Sequence, residues 1–146
     1  MKKTLLNKEY IHIFFDQENS VLSEDWNATA LPDEVREALE EKLRLYEKLK
    51  VEQEEVLWIS NLNGMRGLDK RASDWVRDEF HPKLHPAGVR EIAYLVPEQV
   101  YYELSEEQLE TQYDANNTIR IAYFTDYISA VNWLKNVTKT NPMLSL

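Results

Sequence analysis

The chain has 146 residues, the length of one domain with one hydrophobic core. Its 26 acidic against 17 basic side chains give a formal net charge of −9, which opposes binding to the polyanions nucleic acid and anionic membrane. Apolar residues make up 43%, far from a disordered composition, and the lack of cysteine excludes disulfides, thiolate metal sites and a cysteine nucleophile.

Met1 to Leu6 opens like a secretory leader, but the apolar run stops after Leu6, so no h-region forms. No segment reaches the ~18 apolar residues of a membrane span. A soluble cytoplasmic protein without a membrane span is expected. Residues 10–15 are β-branched and aromatic and predict a strand, and residues 21–26 predict its partner. Asp16, Gln17, Glu18 and Asn19 form a turn between them, making an antiparallel hairpin. Ser23, Glu24 and Asp25 weaken the second strand.

Pro32 followed by Asp33 and Glu34 suits a first helical turn. From there Val35, Ala38, Leu39, Leu43, Leu45, Tyr46 and Leu49 recur at helical spacing, predicting a helix over residues 32–50. Residues 56–60 are apolar on both faces and follow a helix, which predicts a central strand. They run into Asn61, Leu62, Asn63, Gly64, Met65, Arg66 and Gly67, a glycine-bearing loop leading to a helix over residues 70–80. Pro82 is expected to end that helix by forcing His81 out of helical geometry.

A second buried strand is predicted over residues 89–96, parallel to the first. Residues 97–104 read as a short helix or irregular turn. Ser105 to Gln108 matches a capping box and predicts a helix over residues 106–113, followed by a loop at 114–117. The alternation of residues 118–124 predicts a last strand. Thr125 or Asp126 caps a final helix with Tyr127, Ala130, Val131, Leu134 and Val137 inward, and a frayed tail is expected from Asn141. The order predicts a single α/β domain over residues 1–146, with its core at about 8–137. Its mixed sheet starts with an N-terminal antiparallel hairpin, continues in β-α alternation and carries helices packed on it.

Four patterns carry a family resemblance. A hairpin ends in Trp26, and the buried strand 56–60 is followed by a helix with Ala72, Ser73, Asp74 and Trp75. Residues 80–88 lead into the strand 89–96, and Tyr123 to Leu134 contains an acidic cap and an Ala130-x-x-Trp133-Leu134 helix. In this order they resemble the SpoIIAA-like, STAS-type proteins, and in particular small stand-alone bacterial members of uncharacterised role. The resemblance implies a SpoIIAA-like fold and a regulatory or binding module without enzymatic activity. In anti-sigma antagonists of this class the loop after the central strand bears a phosphorylatable serine. Ser60 is the candidate here, although it lies on the strand and lacks the acidic neighbour.

The same loop is the main candidate for binding. Gly64 and Gly67 allow close approach of backbone N–H groups, Asn61 and Asn63 add amides, and Arg66, Lys70 and Arg71 add positive charge. A small anion such as phosphate or carboxylate is the expected ligand, with a protein partner or self-association as a homodimer as the other use of this surface. No cofactor and no metal site is expected: His81 and His85 are four apart, but Pro82 interrupts them and no zincin motif is present. Two alternatives remain open, a carrier of lipid or another apolar small molecule, and an enzyme with a carboxylate base.

Overall fold

The computed structural model describes residues 1–27, 30–65, 67, 69–106, 112–113 and 118–144, and only the backbone of 112 and 139–144. Three strands, β1 (Lys2–Lys8), β2 (Ile11–Asp16) and β3 (Val21–Trp26), are followed by α1 (Pro32–Glu52), β4 (Leu57–Asn61) and α2 (Lys70–Trp75). A π-helical turn (Val76–Phe80) joins α2 to α3 (His81–Ala87), and β5 (Glu91–Leu95), α4 (Glu98–Glu103), β6 (Gln112–Tyr113), β7 (Arg120–Phe124) and α5 (Tyr127–Leu144) follow among the described residues. The seven strands of the described residues share one mixed sheet in the order β1-β2-β3-β4-β5-β7-β6. β3, β4, β5 and β7 run parallel, and the two flanks are antiparallel.

Alternation along the strands divides the core between the two sheet faces. Leu22, Trp26, Trp58 and Ile92 point to one side, where they pack with α1, α2 and α3 through Val35, Leu39, Tyr46, Trp75, Phe80 and Leu84. Val21, Leu57, Ile59, Ala93 and Leu95 point to the other, against Ala130, Val131 and Leu134 of α5. The central strand β4 is therefore covered on both faces, as its uninterrupted apolar run requires. Asp126 caps α5, its carboxylate accepting the Ser129 N–H at 2.8 Å.

Four expectations need correction. β1 turns the expected hairpin into a three-stranded meander: Lys2, Lys3, Asn7 and Lys8 hide its pattern, because an edge strand needs little apolar surface. Pro82 does not end the helical run. His81 stays helical (φ −53°, ψ −42°) and donates its N–H to the Val76 carbonyl, a five-residue bond that widens one turn to admit the proline at the start of α3. The run ends instead at Gly88, whose φ of +114° provides the left-handed C-terminal residue.

Farther along, Gln112 and Tyr113 are extended and pair with Ile121 and Arg120, so the helix expected over 106–113 does not reach its predicted end. Edge pairing satisfies backbone groups of β7 that a capping motif cannot sense. The rest of that expected helix at 107–111, and the loop at 114–117, lie outside the described residues. Asn141 and Pro142 lie within α5 rather than in a frayed tail.

Candidate functional site

Strand register sets a row of polar residues across the parallel strands. Glu24 of β3 lies opposite Ser60 of β4, Ser60 opposite Tyr94 of β5, and Tyr94 opposite Tyr123 of β7. All four share the face covered by α1, α2 and α3, near the C-terminal ends of their strands. Open parallel sheets commonly bind ligands just beyond that end.

The row begins in a buried ion pair. Glu24 is 1% exposed and Lys42, from the middle of α1, is 0% exposed. Lys42 Nζ donates to Glu24 Oε1 at 2.5 Å and to the Ile59 carbonyl at 2.7 Å, and it sits 4.0 Å from the centre of the Trp58 ring. The other carboxylate oxygen accepts from the Trp26 indole N–H at 2.6 Å and from the Ser60 hydroxyl. A buried carboxylate needs this saturation, because an unpaired charge away from water is strongly unfavourable. Burial pulls the Lys42 ammonium down to about 8, with the nearby Glu24 carboxylate opposing the shift.

Above this pair lies a cavity of about 80 Å³, walled by Trp26, Trp58, Phe80, Ile92, Val35 and Leu39. Its roof is Leu62 and Met65 of the loop after β4, together with Val76 of the π-helical turn. Glu24, Ser60, His81 and Tyr94 are its polar lining. The π-helical turn brings His81 inward, where its Nε2 lies 3.3 Å from the Tyr94 hydroxyl. Burial, with Glu24 and Tyr123 nearby, pushes the Tyr94 phenol well above the ordinary tyrosine range, so it stays a neutral hydroxyl.

The loop residues singled out from sequence have different surroundings. Asn61 donates to Asp25 Oδ1 at 3.1 Å and accepts the Asn63 amide at 2.9 Å. Gly64 packs on β3 so closely that a Cβ there would lie 2.1 Å from the Trp26 carbonyl oxygen. Gly67 borders open space, and Arg66 lies outside the described residues. Lys70 pairs with Asp74 at 2.8 Å and Arg71 with Asp69 at 3.4 Å. Asp69 also takes the Arg71 N–H at the start of α2, so a carboxylate already occupies the helix end that an anion would use. Ser60 is 6% exposed, its hydroxyl turned onto Glu24 and away from solvent.

Sequence reasoning missed Glu24 and Lys42, yet both left a signal. Glu24 shares the inward parity of Leu22 and Trp26. Lys42 falls on the stripe of Val35, Ala38, Leu39 and Tyr46, where a solvated lysine has no place. A lone acid on the inner face of a strand and a lone base on the inner stripe of the next helix together point to a buried pair. His81 and His85 do not converge: His81 faces Tyr94, while the His85 carbonyl receives Arg90 at the end of α3. Among the described residues, no three His, Cys, Asp or Glu side chains are grouped to hold a metal ion, and no helix is long and apolar enough to cross a membrane. No protein-family model, no curated protein and no solved structure matches the chain.

Proposed function

We propose that the chain is a non-enzymatic binding module that holds a small, mainly apolar molecule beneath the loop and helix that follow its central strand. The observation that carries this reading is the cavity. Aromatic and aliphatic walls line it at the C-terminal ends of parallel strands, and a few polar groups converge at its floor; this is the lining of a small-molecule site, and about 80 Å³ is room for a fragment of a few heavy atoms. The carrier reading gains from this geometry. The small-anion reading gains less, because Lys70 and Arg71 already face Asp74 and Asp69. A carboxylate base gains least, since Glu24 already accepts from Lys42, Trp26 and Ser60. The SpoIIAA-like reading of the fold rests on its sequence motifs. The antiparallel β2–β3 hairpin and the chain-ordered parallel strands after it support that reading. The cysteine-free composition supports a cytoplasmic address.

Val76 roofs the cavity and is only half-buried at the margin of the core, so Val76→Phe fills the space from its edge. Uncharged apolar fragments are expected to raise the unfolding temperature of the wild type and alter its tryptophan emission. A fragment at a hundred times its Kd stabilises by about 2.7 kcal/mol. Val76→Phe is expected to unfold at a similar temperature without ligand and to lose at least tenfold in affinity. If a broad set of such fragments leaves the wild type unmoved, the binding reading fails.

A further inference from the structure

We infer that the cavity is the inner half of a longer site, and that its ligand is an uncharged amphiphile with a hydroxyl or carbonyl head inside and an apolar stem running outward. This rests on the binding reading above and names the class of ligand. A second depression, of about 290 Å³, adjoins the cavity; Leu62, Val76, His81 and Tyr94 line both. Its own walls include Ile121 and Tyr123 of β7 and Ser73 of α2. Strand register runs the row Glu24, Ser60, Tyr94, Tyr123 from the cavity to the outer groove, so neighbouring strands carry both. Tyr94, which lines both halves, and Tyr123, which lines the groove, are stacked with ring centres 5.7 Å apart.

Charge balance argues for a neutral occupant. Glu24 is matched by Lys42 at the inner end, and Arg77, at the groove, is held by Asp78 at 2.8 Å and Asp74 at 3.3 Å. An ion at the inner end would disturb the buried Glu24–Lys42 pair or the His81–Tyr94 contact, or go unpaired in apolar surroundings, and each is unfavourable. Polarity sets the direction. The Ser60 hydroxyl lines the cavity alone and Ile121 the groove alone, while Leu62 and Val76 carry an apolar wall from one to the other. Ser60 and Tyr123 are two strand spacings apart, ~10 Å, which matches an extended stem of about eight carbons.

Titration of straight-chain alcohols from butanol to decanol, followed by tryptophan emission and calorimetry, tests this. Affinity is expected to rise about fourfold per methylene until the groove is filled near eight carbons. Octanoate and octylammonium are expected to bind at least tenfold more weakly than octanol. Ser73 is exposed, so Ser73→Phe blocks the groove without touching the core, and Tyr123→Ser removes its floor. Ser73→Phe is expected to bind butanol as the wild type does and to lose the gain from longer chains; Tyr123→Ser, which also unstacks Tyr94, is expected to lose that gain whatever its butanol affinity. If butanol binds but chain length, Ser73→Phe and Tyr123→Ser change nothing, the two-part site is overturned and the binding reading stands. Equal affinity for octanoate or octylammonium overturns the neutral ligand. If no alcohol of any length binds while other apolar fragments do, the amphiphile is overturned; if nothing binds, the binding reading falls with it.

Discussion

Both oxygens of Glu24 are engaged inside the protein, one by Lys42 and the other by Trp26 and Ser60. Such a pair contributes little net stability while intact, but losing one partner strands the other. Lys42→Met is therefore expected to lower unfolding free energy by about 3–5 kcal/mol in urea titrations. Joining it to Glu24→Gln is expected to cost less than the two single losses added together; strictly additive losses would show that the pair is not coupled. The pH dependence has a definite sign. Burial lowers the Lys42 pKa from 10.5 to about 8, with Glu24 resisting, so the unfolded chain holds this proton more tightly than the folded one. The stability contributed by this group is complete above pH 10.5 and is lost as pH falls through about 8. Buried Tyr46 and half-buried Tyr94, Tyr123 and Tyr127 have raised pKa values and oppose this trend at high pH, but they are common to wild type and Lys42→Met. The stability difference between the two proteins is thus expected to grow in favour of the wild type from pH 8 to 10.5, and a flat difference would contradict the buried ammonium.

Among the elements, those with long repeating patterns were legible in the sequence. The stripe beginning at Val35 locates α1, and the apolar run before Ser60 locates β4 with its parallel neighbours. Elements fixed by nonlocal pairing were not. β1 and β6 owe their extended backbones to β2 and β7, which no local pattern announces. The site was half legible for the same reason: the loop after β4 stands out by its glycines, but the cavity beneath it needs register and the π-helical turn to bring Ser60, Tyr94 and His81 together. Gly64 ties that loop to β3. A side chain there would meet the backbone of Trp26 and Asn27, at 2.1 and 3.2 Å, and backbone cannot rotate aside as a side chain can. Gly64→Ala is expected to lift the loop, destabilise the fold by ~1–3 kcal/mol and shift tryptophan emission to the red as Trp26 meets water. Asn63→Ala removes only an exposed hydrogen bond to Asn61, and its effect is expected to stay near ~1 kcal/mol with no spectral shift. Matching effects from the two substitutions would show that the loop does not seal the cavity.

For the whole molecule, an open sheet margin can add strands from another copy, and the residues of β1 bear on whether it does. β1 lies at one margin, with backbone N–H and C=O groups facing outward, and β2 within it is fully apolar on its inner side at Ile11, Ile13 and Phe15. The exposed side chains of β1 are Lys2, Lys3, Thr4, Asn7 and Lys8, a charged and polar fringe that discourages edge pairing. Lys2 also rests on the Phe14 and Tyr127 rings, at 4.9 and 4.8 Å, so it is unsuitable for testing the edge alone. Lys3 and Asn7 are exposed, and replacing both by valine raises strand propensity at the margin. Losing one lysine takes the formal charge from −9 to −10, which strengthens repulsion between copies. Association of the double variant would therefore arise at the edge despite electrostatics. Light scattering after size exclusion is expected to show its mass rising with protein concentration while the wild type stays constant. A double variant whose mass follows the wild type over the same range would show that the fringe of β1 does not guard the sheet.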